Sequence, residues 1–257
     1  MEVLDVTLIP AFSDNYIYLL RARGSGVVGI VDPGEAEPVF AALDRLEIMP
    51  THIFNTHHHP DHTGGNEAIK ERYPQARLIG PKSEMSRISG LERIVIEGDT
   101  ISFGTVSFQV IEVPGHTRGH VAFWSEDGNA LFCGDTLFSM GCGRLFEGTP
   151  QQMWTSLRKL SSLPHETRVY CGHEYSQANA RFALTVDPGN AALAKRAAEV
   201  DALRKAGEPT IPSTVGLENA TNPFLRADRP EIAKAVELDG ADPVKVFAEI
   251  RARKDKF

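Results

Sequence analysis

One stretch decides the fold of this chain: Asn55-Thr56-His57-His58-His59-Pro60-Asp61-His62-Thr63-Gly64-Gly65-Asn66. The short apolar run 50–55 leads into it and is typical of a buried strand. The run Asn66–Tyr73 follows and predicts a helix, with Gly64 and Gly65 in the entry turn. The histidines therefore lie on a strand-to-helix loop, where rigid flanking elements hold side chains in place.

Four side chains of this loop are candidate metal ligands, spaced as H-x-H-x-D-H: His57, His59, Asp61 and His62. Imidazole and carboxylate are good ligands for zinc and related metals. If the backbone is extended at His57 and His59, their alternate spacing directs both rings to one side. His58 is then expected to point away. Four donors this close, with others from elsewhere in the chain, indicate two adjacent metals rather than one. A solvated histidine-rich loop is the weaker interpretation, because such a loop needs neither flanking element.

Composition and charge exclude several classes of protein. The chain has 257 residues, enough for one large domain or for one domain with an appendage. Its net charge of −7 provides no basic surface for nucleic acid or for an anionic membrane. No apolar run is long enough to span a bilayer, and the acidic N-terminus is unlike a secretory signal. The three cysteines, Cys133, Cys142 and Cys171, cannot all pair, so we expect reduced thiols and a cytoplasmic location.

Strands and helices alternate up to about residue 174, and helices alone follow. Strands are predicted at 2–9, where Pro10 ends the first one, and at 16–22, 27–31, 50–55, 77–80, twice within 99–113, and at 121–124, 130–133 and 168–171. Helices are predicted at 36–46, 66–73, 150–160, through 176–206, and near 230–238 and 243–253. This order predicts an α/β metal-binding domain at residues 1–174 and a helical domain at residues 175–257.

Three further donors each follow a predicted strand and a glycine: His116, Asp135 and His173. Strand ends on one edge of a sheet converge, so we expect these side chains to join the loop donors. Seven donors on two metals leave positions open for water, and a carboxylate such as Asp135 can bridge. The spacing alone does not assign the other donors to one metal or the other. Cys133 and Cys171 are expected to pack rather than to bind metal.

The chain resembles a known family in motifs that extend over nearly its whole length. The loop motif and its downstream donors are similar to those of the metallo-β-lactamase superfamily and, more closely, of the hydroxyacylglutathione hydrolase (glyoxalase II) family. The further motifs are Pro114-Gly115-His116-Thr117, Gly134-Asp135-Thr136-Leu137-Phe138, Gly141-Cys142-Gly143-Arg144, Cys171-Gly172-His173-Glu174-Tyr175, Thr221-Asn222-Pro223-Phe224-Leu225-Arg226 and the tail Arg251–Phe257. The resemblance implies an αββα sandwich. It also implies one metal on His57, His59 and His116, a second on Asp61, His62 and His173, and Asp135 between them.

The resemblance also implies a substrate, a glutathione thioester. By match, the substrate-binding residues are Arg144, Tyr175, Arg251 and Lys254. The family often has Lys where this chain has Arg144, and Tyr where it has Phe146. Arg144 keeps the charge but changes the hydrogen-bond geometry. The basic run at Arg251 has a simpler interpretation as a helix C-terminus that favours cations.

The expected activity is hydrolysis of S-(2-hydroxyacyl)glutathione, such as S-D-lactoylglutathione, in the second step of methylglyoxal detoxification. A water activated by two divalent cations is expected to be the nucleophile. Zinc is expected first, although iron and manganese accept the same donors. The alternatives are an iron-dependent glutathione persulfide dioxygenase, a lactonase or phosphodiesterase on the same fold, and a metal-binding module without activity. The expected partner is the small-molecule substrate alone, bound by a monomer.

Overall fold

We describe residues 3–257 of a computed structural model. The chain forms two compact units, and each is described separately below. The first contains the described residues up to Glu112 together with Gly119–Gly134, and the second contains Val113–Arg118 and Asp135–Phe257. The division between residues 174 and 175, which follows from the order of the predicted strands and helices, stays a prediction.

The first unit contains a six-stranded sheet in the order β1-β2-β3-β4-β5-β6. Its strands are β1 (Leu4–Ala11), β2 (Asn15–Ala22), β3 (Val27–Val31), β4 (His52–Phe54), β5 (Arg77–Pro81) and β6 (Arg93–Val95). The helices of this unit are α1 (Glu37–Leu46), α2 (Pro60–Thr63) and α3 (Asn66–Arg72). The first three strands are antiparallel, and β3 to β6 are parallel. The strands predicted at 16–22 and 27–31 and the helices predicted at 36–46 and 66–73 are confirmed, whereas β6 and α2 were not predicted.

Proline does not end the first strand, so that prediction was wrong. β1 continues through Pro10 to Ala11, and Pro10 pairs with Tyr16 of β2. The strand lies at the edge of its sheet. An edge strand tolerates proline, because the missing N–H leaves no neighbouring carbonyl unsatisfied. The predicted start of this strand at Glu2 lies outside the described residues.

A second sheet in the first unit faces the first one. Its strands are β7 (Thr100–Phe103), β8 (Val106–Glu112), β9 (Val121–Ser125) and β10 (Ala130–Gly134), and neighbours are antiparallel. The ring of Phe54 on β4 packs against Phe103, Phe108 and Phe123, with ring centroids 5.9, 5.6 and 5.2 Å away. β4 is therefore buried on the side that faces the second sheet, and the loop after it starts from a fixed point.

The second unit is mostly helical, with two short strand pairs. The strands are β11 (Leu137–Phe138), β12 (Gly141–Cys142), β13 (Arg168–Cys171) and β14 (Ser213–Thr214). The helices are α4 (Pro150–Ser161), α5 (Ser176–Val186), α6 (Ala191–Lys205), α7 (Val215–Thr221), α8 (Pro230–Ala235) and α9 (Pro243–Lys256). The predicted helical stretch 176–206 is divided into α5 and α6, because Pro188 and Gly189 interrupt it.

The helices of this unit begin at recognisable capping residues. Thr149 forms a capping box with Gln152 at the start of α4. Asn190, Thr214 and Asp242 each accept a backbone N–H at the first turn of α6, α7 and α9. Among residues 3–257, no helix has both the length and the apolar character that crossing a membrane requires.

Candidate metal centre

The histidine loop starts where β4 ends between β3 and β5. Both neighbours are parallel to β4, and Val31 is opposite Phe54. The turn after β3 therefore lies directly beside the loop. A side chain at Gly34 in this turn would collide with the carbonyl of Asp61, and Gly65 donates its N–H to the Pro33 carbonyl at 2.8 Å. This close approach explains why the chain has glycine at these positions.

The four loop donors form two neighbouring pairs within the first unit. Nε2 of His57 is 3.1 Å from Nδ1 of His59, and Nε2 of His62 is 3.5 Å from Oδ2 of Asp61. The rings of His57 and His62 are 4.3 Å apart, and both side chains are buried. Imidazole nitrogens and a carboxylate oxygen gathered in this way suit divalent metals.

Asp32, which was not among the predicted site residues, orients this loop. Its Oδ1 accepts the Thr56 N–H at 2.8 Å, and its Oδ2 accepts the Thr56 hydroxyl at 2.7 Å. Oδ2 is also 3.2 Å from Nδ1 of His62, which must carry the proton because a carboxylate only accepts. Since the Thr56 hydroxyl donates to Asp32, its oxygen accepts from Nδ1 of His57 at 3.0 Å. Asp32, His57 and His62 also form a group whose donor atoms lie within 4.8 Å of one another.

Asn15 is a second supporting residue that was not among the predicted site residues. Its side-chain amide donates to the main-chain oxygen of Asp61 at 3.2 Å and to Oδ2 at 3.0 Å. These two bonds fix the direction of a carboxylate whose side chain is otherwise 41% exposed. The available signal was the position of Asn15, directly after the turn at the start of a buried strand. Such outer contacts orient ligands and adjust their basicity.

Two other histidines of the first unit differ in their contacts, because His58 pairs with a buried carboxylate whereas His120 packs on one of the four donors. His58 directs Nδ1 to Oε2 of the buried Glu84 at 2.8 Å. His120 is fully buried and stacks on His57, with ring centroids 4.6 Å apart. His58 thus makes a contact consistent with the expectation that it points away from the donors.

The three downstream donors lie together in the second unit. Oδ2 of Asp135 is 3.4 Å from Nε2 of His116 and 3.2 Å from Nε2 of His173. All three side chains are buried. Nδ1 of His116 is 2.9 Å from the carbonyl oxygen of Arg144, so this nitrogen carries the proton and Nε2 carries the lone pair. One oxygen of the Asp135 carboxylate therefore lies close to both imidazole nitrogens.

Two of the four predicted substrate-binding residues lie beside these donors or on the surface. The Tyr175 ring stacks on His173, with centroids 4.8 Å apart and planes 3° apart, and is 38% exposed. The Arg144 side chain is 66% exposed and lies 3.8 Å from Asp255. Phe146 is also exposed, and its ring is 5.2 Å from that of His116.

The charged groups of the other two predicted residues, Arg251 and Lys254, already contact other groups of the protein. Arg251 is only 5% exposed, donates to the Cys142 carbonyl at 2.8 Å, and pairs with Asp255 at 2.9 Å. Lys254 donates to the Ala178 carbonyl at 3.0 Å. Burial, followed by the charges of nearby arginines, lowers the pKa of Lys254 to about 8.

The cysteines are free and buried. Burial raises the pKa of the Cys142 thiol to about 11 and moves that of Cys171 higher still. The Cys171 thiol donates to the His173 carbonyl at 3.5 Å. Because a metal binds the thiolate rather than the thiol, these raised pKa values favour packing over ligation.

Facing sheets and a loop of histidine and aspartate donors define a class of metal-binding enzymes, and the family model of the metallo-β-lactamase superfamily matches residues 12–173. A second model, the hydroxyacylglutathione hydrolase C-terminus, matches residues 174–257. A hydroxyacylglutathione hydrolase of Rhodospirillum rubrum is 55% identical over 257 residues, which cover 100% of both chains. The chain therefore belongs to the hydroxyacylglutathione hydrolase family.

Solved structures support the same fold. The crystal structure of ETHE1 from Myxococcus xanthus aligns with a TM-score of 0.67 at 26% identity, over 97% of this chain and 98% of that one. The crystal structure of TTHA1623 in a di-iron-bound form aligns with a TM-score of 0.60 at 28% identity, over 86% and 100%. The predicted αββα sandwich with a helical C-terminal region is confirmed.

Proposed function

We propose that this enzyme hydrolyses S-(2-hydroxyacyl)glutathione thioesters, such as S-D-lactoylglutathione, to glutathione and a 2-hydroxy acid. This is the second step of methylglyoxal detoxification. One structural observation carries the proposal beyond family membership. The donor His173 is stacked against Tyr175, and α5, which follows Tyr175, also carries the carbonyl that holds Lys254. The short segment from His173 to Ala178 therefore contacts Lys254 and also contains one of the proposed metal ligands.

We further propose that all seven donors hold two divalent metals. One metal would be held by His57, His59 and His116, the other by Asp61, His62 and His173, with Asp135 bridging. Short distances within each unit support this division, because His57 lies next to His59 and Asp61 lies next to His62. Asp135 lies next to His116 and His173. When bound, such metals lower the pKa of water and polarise a carbonyl oxygen. Zinc is the proposed metal, although iron and manganese accept the same donors.

The protein's own residues keep these donors in the form that binds metal. Asp32 fixes the proton of His62 on Nδ1, and the Arg144 carbonyl does the same for His116. Each ring then presents Nε2 as a lone pair. Asn15 holds the Asp61 carboxylate by two hydrogen bonds. The donor set is therefore oriented before any substrate arrives, which is the arrangement that accurate catalysis needs.

The cationic and aromatic residues are proposed to bind the glutathione part of the substrate. Glutathione has two carboxylates, and cations recognise them well. Arg144 and Tyr175 are exposed and Lys254 is partly exposed, whereas Arg251 is buried and shares Asp255 with Arg144. The leaving thiolate has an ordinary pKa of about 8.5, so its departure requires no strong general acid. We therefore assign none.

The remaining expectations belong to the same proposal. Residues 1–174 would supply all seven metal donors, and residues 175–257 would supply three of the four glutathione-binding residues. We propose a cytoplasmic monomer, supported by three free buried cysteines and the net charge of −7.

The deciding experiment follows loss of thioester absorbance when purified protein is mixed with S-D-lactoylglutathione, with and without a chelator. We expect the thioester absorbance to fall rapidly. The chelator should stop this fall, and added zinc should restore it. A lactone panel and an oxygen electrode run in parallel identify the alternatives. Oxygen uptake with glutathione persulfide, or turnover of lactones but not of the thioester, would overturn the proposal.

A further inference from the structure

One motif singled out by the sequence has no role in the proposed chemistry: Thr221–Arg226, which contains Asn222. Asn222 is fully buried. Its side-chain amide donates to the carbonyl oxygens of Phe138 at 3.1 Å and Gly141 at 2.9 Å. Its own oxygen accepts the N–H of Phe224 at 3.0 Å. The motif therefore anchors the β11–β12 hairpin through the side-chain amide of Asn222.

Three more side chains of the helical region bind the same hairpin. Asn179 donates to the Ser139 carbonyl at 3.1 Å, and Glu218 accepts the Met140 N–H at 2.7 Å. Arg251 donates to the Cys142 carbonyl at 2.8 Å. Together with Asn222, these residues give every residue from 138 to 142 a hydrogen bond from a buried side chain. We call the four side chains the hairpin clasp: Asn179, Glu218, Asn222 and Arg251.

The hairpin needs this external support. Each of its strands has two residues, which is too short to be stable alone. Met140 in its turn has φ +55°, a left-handed conformation that is strained for a residue with a side chain. Glu218 receives the N–H of this strained residue and is itself held by Ser213 and Asn222. The shape of the hairpin therefore depends on buried partners from distant sequence.

The hairpin connects two parts of the donor site within the second unit. Asp135 lies just before it, and Arg144, whose carbonyl accepts from Nδ1 of His116, lies just after it. Gly143 packs so closely that a side chain there would collide with the Asp135 carbonyl, and it would lie 3.1 Å from Nδ1 of His116. A shift of the hairpin would thus move the carbonyl that orients His116 and the backbone next to Asp135.

We propose that Asn222 and Glu218 are positioning residues for metal binding, because they hold His116 and Asp135 in ligand geometry through the β11–β12 hairpin. This inference rests on the proposed function only in taking those two residues as ligands. It gives the helical region a second task besides contact with glutathione. Outer contacts of this kind typically change metal affinity by about 10–100-fold when removed.

The test variant is Asn222→Asp, which keeps the size of the side chain and the acceptor for Phe224 but removes both donors. Asn219→Asp is the matched control, because Asn219 lies in the last turn of α7, just before Asn222, and donates instead to the Ser161 carbonyl at 2.9 Å. The zinc-loaded, full-length proteins are titrated with a chromophoric chelator. We expect Asn222→Asp to lose zinc about 10–100-fold more readily than wild type, and Asn219→Asp to stay within about threefold.

Two milder variants keep the test decisive if Asn222→Asp does not fold. Glu218→Gln and Asn179→Ala each remove or weaken one contact to the hairpin, and both should lower zinc affinity, with kcat reduced more than KM changes. Equal zinc affinity in the clasp variants and in Asn219→Asp would overturn the proposal, even if their melting temperatures fall. The titration uses no thioester. Wild-type protein that binds zinc but leaves S-D-lactoylglutathione intact would therefore refute the proposed function alone.

Discussion

Lys254 is predicted to make the KM of this enzyme depend on pH near neutrality. Its ammonium group donates to the Ala178 carbonyl and lies 5.3 Å from the ring centres of Phe182 and Phe257. Burial lowers the pKa of this lysine most, and the charges of Arg251, Arg181 and Arg144 lower it further, from 10.5 to about 8. If the ammonium binds a carboxylate of glutathione, that contact weakens as pH rises through this value.

The size of the effect follows from the charged fraction. With a pKa of about 8, roughly 90% of Lys254 is charged at pH 7 and roughly 10% at pH 9. If only the charged form holds the carboxylate, KM rises by about ninefold over this interval. kcat should change much less, since a contact to the glutathione part stabilises substrate and transition state alike.

The assay is steady-state thioester hydrolysis of S-D-lactoylglutathione from pH 6.5 to 9.5, corrected for spontaneous hydrolysis. Lys254→Arg is the control, because guanidinium stays charged throughout this range. The variant sees the same titration of the substrate as the wild type, so the difference between the two KM profiles belongs to residue 254. A flat wild-type profile, or an equal rise in Lys254→Arg, would refute the assignment of this lysine.

The same lowered pKa affects stability with a definite sign. Between about pH 8 and 10.5 the unfolded chain binds a proton at Lys254 that the folded chain has lost. Stability rises with pH wherever the unfolded state binds more protons. The free energy of unfolding of wild type should therefore increase relative to Lys254→Arg across this window. Urea unfolding at several pH values measures the difference, and a decrease would contradict the assigned shift.

Three further predictions concern the donors and the core. His57→Ala and Asp135→Ala should each abolish thioester hydrolysis and reduce bound metal, measured by elemental analysis. Full activity with both metals retained in either variant would show that the substituted residue is not a metal ligand. Asp32→Asn should weaken metal binding by about 10–100-fold, because it disturbs the protons on two histidines, and an unchanged chelator titration would count against this. Phe54→Ala should lower the free energy of unfolding by about 3–5 kcal/mol in urea. The exposed control Met49→Ala should change it by less than about 0.5 kcal/mol, and similar losses in both would argue against the proposed core.

Local patterns in the sequence predicted the donors of the histidine loop. Four donors within six residues, between a strand and a helix, are a dense signal that requires no knowledge of distant contacts. Alternating and helical periodicity likewise predicted most strands and helices, because burial on one side repeats every two or 3.6 residues. The local sequence was thus sufficient to predict Asp61 and His62 as candidate donors.

Residues that support the donors depend on contacts between distant segments, which the sequence does not display. Asp32 contacts Thr56 only because β3 and β4 are parallel with Val31 opposite Phe54. The sequence shows that an aspartate follows a buried strand, but it does not show which strand lies beside it. The hairpin that Asn222 holds has two-residue strands, too short for any periodicity. Its anchoring residues come from the C-terminal helices, so only the folded chain brings them together.

The charges around Arg251 would allow a chain with a net charge of −7 to attract the anionic substrate proposed for it. Asp255 pairs with both Arg251 and Arg144, so one carboxylate serves two cations and leaves an excess of positive charge. The lowered pKa of Lys254 partly reflects this excess, after the larger effect of burial. Repulsion among the cations decreases either when Lys254 loses its proton or when an anion arrives. If these three cations bind a carboxylate of the substrate as proposed, the carboxylate would relieve an unfavourable interaction of the free enzyme, and binding would be favoured below the pKa of Lys254.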